Sequence, residues 1–399
     1  MQIRSVTFFA DPQDLPHNLE QAVADARAAF TFPVQTIRLA TTPYPDWLND
    51  ISGLDRLVGC CREFGVDYMA VGPARLDDDP HYVDWIPDLV GDHEMVFASA
   101  EVADLGGRIG LQRVNQVAEV VGRLATLRPD GFANLYFTAT ANCPPGSPFF
   151  PVAYHGGGPA GFALAVEAAD VALAAIDGAS DLHEAEETLI GAIEQNSAGL
   201  ARVASQLATR HHLAFGGIDY SLAPHPMPGR SLGAAVERMG VSHVGASGSL
   251  FAAAWLASCV DRAQFPRCGF SGLMFPVLED AVLARRASEG LLTLDDLLLY
   301  SAVCGAGLDV LPLPGNIASE VLSAILLDLA ALAVRLDKPL TARLMPLPGL
   351  SVGDPVDFDF GYFAQGGVMA AGGGLEGRLT AGLETVRLAP RSAGAGAHP

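Results

Sequence analysis

The sequence predicts an α/β protein built on one large and mainly parallel sheet. Apolar runs of strand length alternate with helical patterns from one end of the chain to the other. Most of these runs are continuously apolar, which is typical of strands covered on both faces. Hydrophobic residues make up 50% of the 399 residues, so the chain can fill a large core. Repeated strand–helix alternation favours right-handed crossovers and a sheet that is either open or closed into a barrel.

The individual elements follow from these patterns in chain order. About ten strands are predicted, at 3–9, 34–40, 66–71, 94–99, 132–139, 162–167, 213–219, 271–277, 308–313 and 340–346. Helical patterns lie between them at 15–30, 53–64, 108–127, 183–210, 230–239, 278–289 and 316–335. Thr293, followed by Asp295 and Asp296, has the pattern of a helix N-cap with an acidic first turn. Helix 316–335 is apolar around so much of its circumference that it is either buried in the domain or forms a homodimer contact.

The domain organisation predicted from the chain is simple. No Gly/Ser linker divides the sequence, so we expect one compact domain over 1–386 and a disordered small-residue tail over 387–399. The amino terminus is apolar only as far as Asp11, which favours a first strand over a signal peptide. The six cysteines form neither a C-x-x-C pair nor a zinc pattern, so they are expected to be reduced thiols in a cytoplasmic protein.

Charge and composition narrow the classes of partner and cofactor. The net charge of −21 would repel nucleic acid and anionic membrane surfaces, so neither is an expected partner. Lys338 is the only lysine, and no Gly-Lys-Ser/Thr phosphate loop is present, so no pyridoxal or other cofactor is predicted. The acidic loop at 77–80 leaves a divalent metal ion as an open alternative, with its ligands unknown.

The segment 215–226, FGGIDYSLAPHP, carries the strongest candidate for chemistry. An apolar strand delivers Asp219 into a proline-restricted turn that also contains Ser221 and His225. A carboxylate at a strand end is a common position for catalytic groups in α/β enzymes, so Asp219 is a candidate general base or metal ligand that Ser221 orients. The alternative is an acid that caps the turn.

A second candidate lies in the Pro/Gly-rich loop 142–161. His155 directly precedes Gly156 and Gly157, whose backbone N–H groups could form an anion nest beside a histidine acting as acid or base. The alternative is a tight glycine turn whose histidine bonds the backbone.

Five further residues complete the predicted site. Ser271 is a candidate ligand-binding residue, and Glu279 and Asp280 are candidate acids or bases, the alternative for the two acids being a place at a helix start. Cys304 is a candidate nucleophile only if its pKa is lowered, and is otherwise a small buried hydrophobe. Arg343, on a late strand, could bind a carboxylate or phosphate in bidentate fashion, the alternative being a buried partner of Asp309 or Asp219.

Five blocks taken together resemble the bacterial and archaeal family known as domain of unknown function 711. They are AYHGGG (153–158), FGGIDYSLAPHP (215–226), GFSGLMFPVLED (269–280), VCGAGLDVLPLP (303–314) and LTARLMPLPG (340–349). The resemblance extends from residue 3 to about residue 361 and implies a ten-stranded α/β barrel similar to pyruvate formate-lyase. It supplies no assigned catalytic residues. Where such proteins tend to have Gly-Thr-His-Gly, this chain has Gly-Ala-Ser-Gly at 245–248, so an essential histidine would have to be His243.

The resemblance does not extend to radical chemistry. No Arg-Val-x-Gly-type radical motif is found near the end of the chain. We therefore expect a non-radical enzyme that acts on a small anionic metabolite by acid–base chemistry, as a lyase or a hydrolase. The alternative is a non-catalytic small-molecule-binding or regulatory protein on a barrel scaffold, because fold alone does not imply activity.

Overall fold

One sheet organises the chain, and a computed structural model describes residues 1–227, 229–303, 305–375 and 383–391 of it. The strands are β1 (Gln2–Phe9), β2 (Val34–Ala40), β3 (Tyr68–Ala74), β4 (Val96–Ala103), β5 (Arg108–Gly110), β6 (Phe137–Ala141), β7 (Gly161–Glu167), β8 (Ala214–Ser221), β9 (Gly307–Pro314), β10 (Leu340–Leu347), β11 (Pro355–Val356), β12 (Gly366–Gly367) and β13 (Thr385–Arg387).

The helices occupy the intervals between the strands. They are α1 (Leu19–Ala29), α2 (Gly53–Glu63), α3 (His81–Asp84), α4 (Ile86–Gly91), α5 (Leu111–Leu127), α6 (Ala169–Gly178), α7 (Leu182–His211), α8 (Leu232–Arg238), α9 (Ser249–Arg262), α10 (Ala281–Ser288), α11 (Leu294–Ser301) and α12 (Ser319–Leu336). Short 3₁₀ turns lie at Tyr44–Asp46, Phe132–Tyr136 and Val277–Glu279.

The main sheet is mostly parallel, as predicted. Its strands follow the order β8-β7-β1-β2-β3-β4-β6-β10-β9, with β5 and β13 beside β4. Along this order the neighbours are parallel except where β1 meets β7 and where β6 meets β10. The sheet therefore consists of parallel blocks that run in opposite directions. The carboxyl ends of β1 to β4 lie at the same edge as the amino ends of β7 and β8.

The predicted strand 271–277 is present only as isolated bridges. Arg267 pairs with Ile218 and Leu273 pairs with Leu222 near β8, while Pro276 pairs with Asp309 of β9. A continuous ladder is interrupted because Ser271 has a φ of 41°, in the left-handed region. The segment 267–276 thus contacts both end strands of the sheet.

Other boundaries differ from the predictions for local reasons. The predicted strand 132–139 begins as a 3₁₀ turn, and β6 starts only at Phe137. The predicted helix 108–127 begins at Leu111, because Gly110 is still extended with φ −85° and ψ 99°. The sequence patterns did not indicate α6 and α9, whose alanine-rich sequences lack a clear polar face. The predicted N-cap is confirmed, since the Thr293 hydroxyl and the Asp296 carboxylate form a reciprocal capping box.

Helix α12 owes its broad apolar surface to burial within the domain. Leu322, Leu326, Leu329 and Ala333 are fully or almost fully buried where α12 packs on α5 and the sheet. The homodimer stays a prediction. At the end of the chain, β13 pairs with β5 and includes Arg387, where the predicted tail begins, while residues 392–399 lie outside the described residues.

The loop 142–160 contacts β1 and β2. The Thr7 hydroxyl of β1 donates a hydrogen bond of 3.2 Å to the Pro148 carbonyl, and the Arg38 guanidinium of β2 lies over the Phe150 ring. Phe149 and Phe150 follow and are buried. The loop therefore separates an inner pocket at one end of the sheet from an outer cleft at the other. In the part of the chain that the structure describes, no helix combines the length and apolarity needed to cross a bilayer.

Candidate functional site

Three arginines from three strands line the inner pocket. Arg4 lies on β1, Arg38 on β2 and Arg343 on β10, and their positions in the sheet direct all three toward one cavity of about 80 Å³. Glu279, at the end of a 3₁₀ turn, contributes a carboxylate to the same cavity. Charged groups this deep in a sheet require partners, because burial alone disfavours the charged form.

Two of the arginines are neutralised within the pocket. Arg4 forms an ion pair with Glu279. Arg343 donates from Nε to Asp309 over 2.6 Å, and one of its terminal nitrogens lies 3.5 Å from Glu279. Burial by itself would raise the pKa of Glu279, but Arg4 and Arg343 hold that pKa below its ordinary value. The sequence left open whether Arg343 binds a ligand or is the buried partner of an acid. In the structure Asp309 is that buried partner.

Arg38 is the cation that the pocket does not neutralise. Its Nε donates to the Thr36 hydroxyl over 2.8 Å, and no carboxylate among the described residues pairs with it. Its guanidinium carbon lies 4.9 Å from the Phe150 ring centre and 6.0 Å from that of Tyr68. Burial and then the charge of Arg4 lower the pKa of Arg38 to about 9, so it remains protonated at neutral pH. Its two terminal nitrogens donate no hydrogen bond to the described residues and therefore have donors to spare.

Aromatic rings form most of the remaining wall. They are Tyr68, Phe97, Tyr136, Phe149, Phe150, Phe360 and Tyr362. Next to this wall, the His225 ring lies edge-on to Tyr362 with centroids 5.7 Å apart. Burial, Arg230 and Arg4 lower the pKa of His225, which is therefore neutral at pH 7. Its Nδ1 accepts a hydrogen bond from the Met227 amide, so the ring proton lies on Nε2.

The outer cleft contains the predicted residues His155, Gly156 and Gly157. It has a volume of about 510 Å³ and is also lined by Cys143, Cys268 and Phe270, among other residues. His155 is buried, its amide donates to the Thr41 carbonyl over 2.8 Å, and its Nε2 lies 3.3 Å from the Gly158 carbonyl. These contacts hold the glycine turn in place, which matches the backbone-bonding alternative for this histidine.

Asp219 lies behind the wall of this cleft. Its carboxylate accepts hydrogen bonds from the Ser221 hydroxyl (2.5 Å), the Phe270 amide (3.0 Å) and the Ser271 amide (2.9 Å). Burial raises the pKa of Asp219, although these three hydrogen bonds oppose that shift. A Cβ atom at Gly269 would collide with the carboxylate, so the turn is closed directly over it. Asp219 caps the turn 268–271 and not the proline turn that follows it.

The side chains of Ser271 and Asp280 likewise use their hydrogen-bonding capacity within the fold. The Ser271 hydroxyl donates to the Cys268 carbonyl over 2.9 Å and accepts from the Tyr220 amide over 3.2 Å. Asp280 is the N-cap of α10, where it accepts from the Val282 and Leu283 amides. It also accepts from groups at the start of α8, namely the Ser231 hydroxyl and the Leu232 and Gly233 amides. Asp280 is therefore the helix-start acid, whereas the adjacent Glu279 faces the pocket.

The predicted site residues thus divide between the two cavities. Glu279 and Arg343 lie in the inner pocket, the His155 loop lines the outer cleft, and Asp219, Ser221 and Ser271 lie behind the cleft wall. Cys304 lies outside the described residues. Within the described ranges, no three His, Cys, Asp or Glu side chains form a group that could hold a metal ion.

Arg4 and Arg38 are absent from the predicted site although their signal is present in the sequence. Each is a single guanidinium inside an apolar strand, the same feature that singles out Arg343. An arginine at an inward strand position requires a carboxylate or a ligand, because its charge cannot be removed at neutral pH. Each such arginine indicates a buried partner or ligand, but only the strand order shows that the three share one pocket.

Comparison with known proteins finds relatives that match almost the whole chain. The family described as "Uncharacterised ACR (DUF711)" matches residues 2–361. The chain is 33% identical over 379 residues to a "UPF0210 protein" of Pyrobaculum aerophilum, covering 88% of this chain and 82% of the relative. It is 34% identical over 349 residues to a "UPF0210 protein" of Pyrobaculum arsenaticum, covering 81% and 76%. A "UPF0210 protein" of Clostridium perfringens is 27% identical over 371 residues, covering 86% and 80%. With most of its length matched, this chain belongs to the Uncharacterised ACR (DUF711) family.

Proposed function

We propose that this protein is a cytoplasmic, non-radical enzyme that binds a small anionic metabolite in the inner pocket and acts on it by acid–base chemistry. The single observation that carries the proposal is Arg38, a half-buried cation with unused donors facing an aromatic cavity. Ligand sites typically combine an apolar wall with a few polar groups of fixed orientation. An anion would neutralise Arg38 and use its terminal nitrogens.

We also propose that the sheet closes into a ten-stranded barrel similar to that of pyruvate formate-lyase. The bridges from segment 267–276 to β8 and to β9 support closure, since they connect the two end strands of the sheet. In such a barrel the inner pocket would be an enclosed end of the interior. Exclusion of water there would strengthen the attraction between Arg38 and an anion.

The polar groups around the pocket suit different roles. Glu279 is held as a carboxylate by Arg4 and Arg343, so it would keep these two arginines in position while Arg38 binds the ligand. His225 is neutral and carries its proton on Nε2, so we propose it as the group that donates or accepts a proton at the ligand. Neither role needs a lysine or a thiolate.

The second candidate function is binding without catalysis. It is favoured by the predicted acids Asp219 and Asp280, whose hydrogen-bonding capacity is used within the fold. A regulatory or carrier protein would require only the Arg38 pocket. The two functions differ in whether a bound ligand is converted.

A binding experiment followed by a turnover experiment tests the proposal. Thermal unfolding of the full chain is measured with acetate, propionate, malonate, inorganic phosphate and glycerol phosphate at equal ionic strength, because a ligand that binds the native state raises its stability. At least one anion should raise the melting temperature of the wild type. The increase should be lost in Arg38→Gln and kept in Arg202→Gln, an exposed arginine on α7. An increase that does not depend on Arg38 would refute the site.

Turnover separates the enzyme from the binding protein. Each anion that passes the first test is incubated with the protein and followed by NMR. In the enzyme, the signal of the anion should be replaced by product signals in the wild type, and His225→Gln should stop this while retaining the increase in melting temperature. If every anion that binds stays unchanged in the presence of the protein, the non-catalytic function is favoured.

A further inference from the structure

We infer that the inner pocket takes a short, planar monocarboxylate, an inference that rests on the function proposed above and specifies its ligand. Three properties of the pocket select this class: its charge, the orientation of its free donors and its size. Each of them excludes a different group of anions.

The charge of the pocket calls for one negative charge. Its guanidinium groups are those of Arg4, Arg38 and Arg343, and its carboxylates are those of Glu279 and Asp309. Glu167, which lies near Arg4, has Arg230 as its own partner over 3.4 Å. One positive charge therefore remains, and it belongs to Arg38. A dianion would leave a negative charge buried next to Glu279, which is unfavourable in a cavity of low dielectric constant.

The free donors of Arg38 suit a planar acceptor. Because Nε is bonded to Thr36, the two terminal nitrogens form the edge that remains available. Phe150 and Tyr68 lie near the guanidinium group and restrict its orientation. A fork of two N–H donors in one plane matches the two oxygens of a carboxylate.

A phosphate group is matched less well by the same surroundings. Phosphate sites in proteins commonly use several backbone N–H groups that converge on one point. Gln35, Thr36 and Arg38 belong to β2, which is paired with β1 and, from Arg38 to Ala40, with β3. Successive N–H groups of an extended strand point in opposite directions and therefore do not converge on one point.

The size of the cavity limits the ligand to a few atoms. A cavity needs roughly 15 Å³ for each water molecule by this kind of measure, so about 80 Å³ corresponds to roughly five water molecules. The monocarboxylates of matching size have about five non-hydrogen atoms, as propionate and glycolate do. The Tyr68 hydroxyl has no hydrogen-bond partner among the described residues and is available for a polar group at the other end of such a ligand.

Isothermal titration calorimetry on the full chain tests the inference. The probes are propionate and glycolate, with propionamide as the neutral analogue of the same shape, and malonate and inorganic phosphate as the more highly charged anions. All titrations are made at pH 7.5 and constant ionic strength, because screening changes every charged interaction. We expect propionate or glycolate to bind at least tenfold more tightly than propionamide, malonate or phosphate.

Two variants of Arg38 assign the binding to the fork. Arg38→Lys keeps the charge but removes the planar pair of donors, so affinity for the monocarboxylate should fall at least tenfold. Arg38→Gln should reduce it at least as much, and Arg202→Gln should leave it within twofold of the wild type. Circular dichroism confirms that each variant is folded.

The possible outcomes separate this inference from the proposed function. If malonate or phosphate binds more tightly than the monocarboxylates and does so through Arg38, the inference is overturned and the anion-binding function stands. If wild-type affinity survives in Arg38→Lys, the fork is not the recognition element and the inference is overturned as well. If none of the anions binds to folded wild-type protein, both fail.

Discussion

The inner pocket and the outer cleft differ in how their polar groups are used. The cleft is larger, at about 510 Å³ against about 80 Å³, and it contains the histidine and glycines that the sequence makes conspicuous. Its acid, Asp219, nevertheless accepts three hydrogen bonds from its own turn. In the smaller pocket, Arg38 retains unused donors. The proposed ligand site is therefore chosen by unused hydrogen-bonding capacity and not by volume or residue type.

The largest effect is expected from breaking the charge network of the inner pocket. Arg343→Met would leave Asp309 without its partner and Glu279 with only Arg4. Removing one member of a buried ion pair typically lowers the free energy of unfolding by about 3–5 kcal/mol. Urea unfolding followed by circular dichroism measures the change, with Arg202→Gln as the exposed control. A loss of less than about 1 kcal/mol would show that the network is solvated.

A smaller loss is expected at the wall of the outer cleft. Asp219→Ala leaves the Phe270 and Ser271 amides unsatisfied, at a cost of about 2–3 kcal/mol, whereas Ser221→Ala removes one hydrogen bond at about 1 kcal/mol. Neither change should alter Arg38-dependent anion binding. Urea unfolding and calorimetry are the measurements. A folded Asp219→Ala protein with wild-type stability and no anion binding would assign Asp219 to the ligand site instead.

His155 should contribute mainly to the structure of its own turn. His155→Ala removes a buried ring with one backbone hydrogen bond, so we expect a loss of about 1–2 kcal/mol in the free energy of unfolding. The affinity of the His155→Ala variant for an anion that binds through Arg38 should stay within twofold of the wild type. A tenfold weaker affinity in the folded variant would show that the two cavities are coupled and that His155 acts beyond its own turn.

The smallest effect is expected at Glu101, outside both cavities, and it depends on pH. Burial raises the pKa of Glu101, near Tyr154, from the ordinary 4.5 to about 7. Between these pH values the unfolded chain releases the proton before the folded chain does, so stability falls as pH rises through this window. A change of this size corresponds to roughly 3 kcal/mol at most. Because Glu101 is only half-buried and solvent screens its charge, we expect Glu101→Gln to stabilise the protein by about 1 kcal/mol at pH 8 and to change little at pH 4.5. Melting temperatures at both pH values check this, and an equal effect at both would exclude titration of Glu101 as the cause.

The sequence predicted the sheet well, because continuous apolar runs leave few alternatives to buried strands. It failed where tertiary contacts decide the conformation. Segment 267–276 has the composition of a strand, but the turn around Asp219 imposes a left-handed φ on Ser271 and breaks the ladder. The candidate site was predicted only in part for a related reason. Conspicuous motifs such as HGGG attract attention, whereas Arg4 and Arg38 become informative only once strand order brings them together.

The adjacency of Glu279 and Asp280 has a mechanical consequence for the pocket. Asp280 ties the starts of α8 and α10 to one point, so the backbone next to Glu279 cannot shift without disturbing both helices. The negative charge of the pocket is therefore fixed in space. Tyr362, which also lines the pocket, is 38% exposed and therefore less constrained. The position of the Glu279 carboxylate is thus more constrained than that of the Tyr362 ring. Among related ligands, selectivity should therefore depend more on the shape of the uncharged part than on the position of the charge.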